Sequence, residues 1–252
     1  MLVNGNTDLY NRETEEYIVA YIDLLGIKSE MNKGNKEQQL AMNKLYNLYT
    51  HSIDTTRMIA WEENKEINFK IFSDNILISR KLSKDNDKRK LEVKTLIYCV
   101  AHFQALAASD SVGWLLRGGI AIGQLFVDDI MVWGQALLKT YDLESNIAIY
   151  PRIVLDSTVV NEVQKNDELS DFIRKDFDGV YFLNYLSMCH FYGEMLSSGF
   201  EMIQENNLLY RNERIYQKLY WHMEFINREL DRKNEQKDKK YRLKFSPDYL
   251  IK

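Results

Sequence analysis

The stretch Tyr17-Ile-Val-Ala-Tyr-Ile-Asp-Leu-Leu-Gly-Ile27 decides the fold. It is nearly continuous in apolar residues, rich in β-branched and aromatic types, and broken at Gly26. A run that does not alternate is apolar on both faces, which predicts a strand buried inside a sheet. Working outward, a helical pattern over Lys36–Ile59 brings Leu40, Leu45, Leu48 and Ile53 toward one face. Ile67–Phe72, then Ser73-Asp74-Asn75, then Ile76–Ser79 predicts a hairpin with a polar tip. The charged segment KLSKDNDKRK, residues 81–90, predicts a solvated loop entering a helix whose Leu96, Val100 and Phe103 face the core. Trp114–Phe126, centred on LRGGIAIG, predicts a strand pair. After Gly134 the stretch QALLKTYDLESNIAIY is helical in period. Pro151 then opens a short strand, RIVLD, and Asp156-Ser157 caps a helix beginning near Val159. Strands alternating with long helices make this an α/β sandwich.

From about Met188 only helical periodicity remains, with Ile215, Leu219, His222, Ile226 and Leu230 on one stripe. Two regions are therefore expected, a main domain over 1–187 and a C-terminal helical extension over 188–252. The run 228–244 carries 8 basic and 4 acidic residues and reads as a solvated helix end and tail. With Lys+Arg 33 against Asp+Glu 37 the chain is mildly acidic, which argues against a dedicated nucleic-acid binder. No apolar run is long enough to span a bilayer, and the polar start lacks the basic and apolar parts of a secretory signal. Cys99 and Cys189 are too few for a disulfide framework and suit a reducing cytosol. The expected protein is cytoplasmic, with no membrane and no stable nucleic-acid partner.

Three polar residues interrupt segments that should be apolar. Asp23 lies within the central run, where an ionised carboxylate is costly unless a cation or several donors meet it. It reads equally well as a metal ligand or as a strand-end carboxylate accepting turn hydrogen bonds. Asp74 belongs to good turn chemistry by itself, yet a hairpin tip beside the central strand would aim it at Asp23. Two carboxylates brought together repel, and hard oxygen donors favour Mg²⁺ or Mn²⁺. Arg117 precedes Gly118-Gly119, a pattern that admits close backbone approach beside a guanidinium able to bind phosphate. The four histidines, His51, His102, His190 and His222, show no metal-site spacing and read as structural, as does the Cys189-His190 pair. No P-loop and no GxSxG is present.

Taken in order, these residues resemble the class III nucleotidyl cyclase family. YIDLLG places Asp23 where the family has its first metal carboxylate, with the backbone carbonyl of Leu24 as a main-chain ligand. KIFSDNILIS places Asp74 as the second carboxylate and Lys70 where adenylate cyclases keep a base-contacting lysine. Arg117-Gly-Gly-Ile matches the strand whose arginine contacts the triphosphate. The resemblance runs from about Tyr17 to Val160. It implies a palm-type domain with a central, mostly antiparallel sheet flanked by helices, two Mg²⁺ or Mn²⁺ ions per site, a nucleoside triphosphate substrate and a homodimer with shared sites.

The sequence departs from the family at Leu138 and Asp142, which stand near the positions of the transition-state asparagine and arginine. RGGIAIG, WGQALLKTYDLES, YPRIVLD and a late helix bearing Trp221 are similar to the bacterial antiphage pyrimidine cyclases of the Pycsar system. That likeness implies cyclic UMP as product, with cyclic CMP second, read by a separate effector protein. An adenylate or guanylate cyclase, or a silent nucleotide-binding module of the same fold, are the alternatives.

Overall fold

The computed structural model describes residues 12–61, 67–109, 111–188, 201 and 213–233. The central run forms β1 (Glu15–Leu25). The hairpin forms as β2 (Asn68–Phe72) and β3 (Asn75–Lys81), with Ser73 at φ 53° in a two-residue turn. β1 pairs antiparallel with β3 on one side and with β4 (Leu115–Val127) on the other. Past β4 come β5 (Val132–Trp133), β6 (Ile153–Leu155), β7 (Ile173–Lys175) and β8 (Tyr181–Leu183). The sheet order is β2-β3-β1-β4-β6-β8-β7, with β5 paired to β4. Among the described residues only the β4–β6 pair is parallel, so the sheet is mixed and mostly antiparallel.

β1 is buried on both faces because the two faces meet different layers. Ile18, Ala20, Ile22 and Leu24 join the main core beneath α2 (Asn35–Trp61), which follows the short α1 (Ile27–Met31), and α3 (Asn86–Ala107). Val19, flanked by Tyr17 and Tyr21, joins a smaller cluster with Leu77, Leu125 and Ala136 of α4 (Gln135–Asp142). In α2 the buried stripe is Leu48, Tyr49, Ser52 and Thr56, while Leu40 is 60% exposed. The Leu40 expectation fails because 40, 45, 48 and 53 do not keep a 3.6-residue period. Asp85 caps α3 by accepting from the Lys88 N–H, and Leu96, Val100 and Phe103 are buried as expected. Asp156 likewise caps α5 (Ser157–Gln164). Among the described residues, no helix is long and apolar enough to cross a membrane.

Two expectations need correction. Trp114–Phe126 is not a strand pair: β4 is one unbroken strand, and neither Gly118 nor Gly119 has the positive φ of a turn. These glycines serve close approach instead. A Cβ on Gly118 would stand 2.5 Å from the Tyr21 carbonyl oxygen, and one on Gly119 would stand 2.5 Å from Leu143 Cβ. The helix after Gly134 also changes pitch, since α4 continues into a π-helical turn at Leu143–Ile147.

The C-terminal helix α6 (Glu213–Lys233) packs Trp221, Met223, Phe225 and Ile226 into the main core. The predicted stripe is confirmed at its centre, with Leu219, His222 and Ile226 buried. The solvated helix end is not uniform, because Glu229 is buried and paired to Arg174 at 2.6 Å while accepting from Asn184. Trp221 donates its indole N–H to Asp176, whose carboxylate also meets the fully buried Arg152. The Cys189-His190 pair and residues 234–244 lie outside the described residues.

Candidate active site

Register brings the candidate residues together. Asp23 stands opposite Asn75 of β3 and opposite Arg117 of β4. The Leu24 N–H donates to the Asp74 carbonyl at 2.9 Å, which ties the hairpin tip to the end of β1. Asp23, Leu24, Asp74, Asn75, Arg117 and Glu144 line one open cleft of about 430 Å³, with Tyr21 and Tyr141 on its wall. Their rings meet edge to face at 5.9 Å.

Arg117 is held from both sides. Its Nε donates to Asp23 Oδ2 at 2.9 Å, and its Nη2 lies 2.7 Å from Glu144 Oε1. The second contact is an ion pair without hydrogen-bond geometry, so among the described residues the buried Glu144 Oε1 has no hydrogen-bond donor. The other Glu144 oxygen accepts from Ser145 Oγ at 2.7 Å. Burial raises the Asp23 carboxyl above its ordinary pKa, outweighing Arg117, and Glu144 and Asp74 push it the same way. Burial, then Glu144 and Asp23, likewise raise the Tyr21 phenol. The cleft is therefore crowded with negative charge.

Sequence reasoning missed Glu144. It enters through the π-turn, which the 3.6-residue period of α4 does not foretell; π-turns recur at functional sites. The turn can lie this close to the sheet because Gly119 has no side chain. Lys70 is not in the cleft. It faces the same side of the sheet as Leu77 and Tyr21, two strands out from β1, where its charge acts on Asp128.

In backbone shape the chain is similar to cyclase domains. The monomeric guanylyl cyclase domain of the RhoGC fusion protein from the aquatic fungus Blastocladiella emersonii matches with a TM-score of 0.49 and 14% identity, covering 68% of this chain and 96% of that one. The guanylate cyclase domain of RhGC from Catenaria anguillulae in complex with GTP matches with a TM-score of 0.48 and 12% identity, covering 69% and 98%. The adenylyl cyclase CyaB from P. aeruginosa matches with a TM-score of 0.43 and 16% identity, covering 69% and 96%. No protein-family model matches the sequence, and no curated protein matches it.

The donor set fits a hard divalent cation. Asp23, Asp74 and the Leu24 carbonyl offer oxygens on one wall of the cleft. Among the described residues no group of three or more His, Cys, Asp or Glu side chains is placed to hold a metal ion by itself. An open oxygen site completed by water and phosphate is what Mg²⁺ favours, whereas Zn²⁺ favours His and Cys ligands, which the cleft lining does not offer.

Proposed function

We propose that this chain is a nucleotide cyclase that converts a pyrimidine nucleoside triphosphate, UTP first and CTP second, into its 3′,5′-cyclic monophosphate and pyrophosphate. The observation that carries the reading is the convergence of Asp23, Asp74 and Arg117 on one cleft, from three separate segments of chain. Asp23, Asp74 and the Leu24 carbonyl would hold two Mg²⁺ or Mn²⁺ ions, which when bound lower the pKa of the ribose 3′-hydroxyl and offset polyphosphate charge. Arg117 would leave its carboxylate partners to bind phosphate oxygens and stabilise charge on the departing pyrophosphate. The ribose 3′-oxygen attacks the α-phosphorus in line; the bond to the β-phosphate bridging oxygen breaks, and pyrophosphate departs.

The pyrimidine preference rests on the resemblance of RGGIAIG, WGQALLKTYDLES and YPRIVLD to pyrimidine cyclases. In the fold these segments pack together, with Gly119 under Leu143 and with Arg152 and Trp221 both bound to Asp176. The product would be a second messenger of antiphage defence, read by a separate effector. A second copy would complete the site. Phe72, Leu138 and Tyr141 are 77%, 65% and 51% exposed on the cleft side of the sheet, apolar surface that a partner would cover. Lys70, on that same side but outside this cleft, would contact the base of the nucleotide held by the other copy's carboxylates. A nucleotide-binding module without turnover is the second reading, because Leu138 and Asp142 differ from the residues that stabilise the transition state.

The test is a product assay. Purified protein is incubated separately with UTP, CTP, ATP and GTP in Mn²⁺ or Mg²⁺, and products are identified by mass spectrometry. Cyclic UMP or cyclic CMP, lost in Asp74→Ala without a change in melting temperature, is the expected result. Cyclic AMP or cyclic GMP would overturn the base preference, and nucleotide binding with no cyclic product would favour the silent module.

A further inference from the structure

α6 packs on the sheet next to Leu25, a residue of the cleft lining. Its Ile215 and Leu219 pack on Leu25 and Leu115, which are register partners at the ends of β1 and β4. Leu25 lies two residues after Asp23 and Leu115 two before Arg117, so this contact seats one turn of α6 beside the catalytic carboxylates. Lys218 occupies that turn. It is half-buried and within electrostatic reach of Arg117, Asp23 and Glu144, with Arg214 one helical turn earlier. Among the described residues it forms no ion pair, whereas Arg117 is already matched by two carboxylates. Burial lowers the lysine pKa, so its charge is held there against a desolvation cost that a leucine would not meet. A polyphosphate entering the cleft would find Arg117 engaged by Asp23 and Glu144, which leaves a use for a second basic side chain.

We infer that Lys218, carried by the C-terminal helix, binds the terminal phosphates of the nucleoside triphosphate and makes α6 part of the substrate site. This rests on the cyclase reading above. It also explains why a helix distant in sequence is anchored so firmly, through Trp221 to Asp176 and through Glu229 to Arg174.

The experiment measures binding to the full chain by calorimetry in Mn²⁺, with three probes: the nucleoside triphosphate preferred by the wild type, the matching monophosphate, and inorganic pyrophosphate. Lys218→Met is expected to weaken triphosphate and pyrophosphate binding about tenfold while leaving the monophosphate unchanged, and Lys218→Arg is expected to restore both. The ratio of triphosphate to monophosphate affinity is internal to each variant, so a general loss of stability does not imitate the effect. Unchanged triphosphate and pyrophosphate affinity in Lys218→Met overturns the inference, as does equal weakening of triphosphate and monophosphate. A wild type that binds none of the four nucleoside triphosphates would instead overturn the cyclase reading.

Discussion

Replacing Gly119 with alanine should push the π-turn out of the cleft. The new methyl would stand 2.5 Å from Leu143 Cβ and 2.7 Å from the Thr140 carbonyl oxygen, and the second of these is backbone that cannot rotate away. Overpacking of this kind costs about 1–3 kcal/mol. Loss of glycine freedom in the unfolded chain returns about 0.4–1 kcal/mol. The net loss of about 1–2 kcal/mol lowers the melting temperature by about 2–8 °C for a chain of this size. Gly123→Ala is the matched control, in the same strand and under the same helix, because its methyl would sit 3.4 Å from the Ala136 nitrogen, an ordinary contact. That variant should melt at or slightly above the wild-type temperature. Leu143 carries Glu144, so Gly119→Ala should also lose most cyclase turnover, while Gly123→Ala keeps it. Calorimetric melts and the product assay on both variants decide the matter. Equal melting temperatures for the two would refute the argument that the π-turn rests on bare backbone at Gly119.

Other outcomes follow from the same packing. Arg152→Met leaves the fully buried Asp176 without its main counter-ion and should destabilise the fold by about 3–5 kcal/mol in urea unfolding, more than a surface arginine change could. Burial holds His222 neutral and its pKa down at about 3 against Tyr185, so its contribution is complete above the ordinary histidine value and is lost as pH falls from about 6.5 toward 3. At about 1.4 kcal/mol per pH unit, His222→Phe should lose roughly 2–3 kcal/mol less stability than wild type between pH 7 and 4.5, measured by urea melts at both. The Cys99 thiol is buried and pushed up to about 11 by desolvation, so in native protein at pH 8 its peptide should stay unlabelled by a thiol reagent until denaturant is added.

Local pattern determined much of this protein. The nearly continuous apolar run 17–25 read as a strand covered on both faces, and Asp23 stood out in it because a charge there needs a partner. The hairpin around Asp74 and the cap at Asp156 were equally legible, since turn and cap chemistry is short in range. Tertiary structure decided the rest. LRGGIAIG looked like a turn because paired glycines usually break strands; it is a continuous strand because Tyr21 and Leu143 press on it from outside the segment. Glu144 reaches Arg117 through a change of helical pitch, and Lys218 comes within electrostatic reach of the same groups from a helix 101 residues beyond Arg117. Periodicity reports which face of an element is apolar. It carries no record of which distant element lies against that face, and such contacts assemble the charges of this cleft.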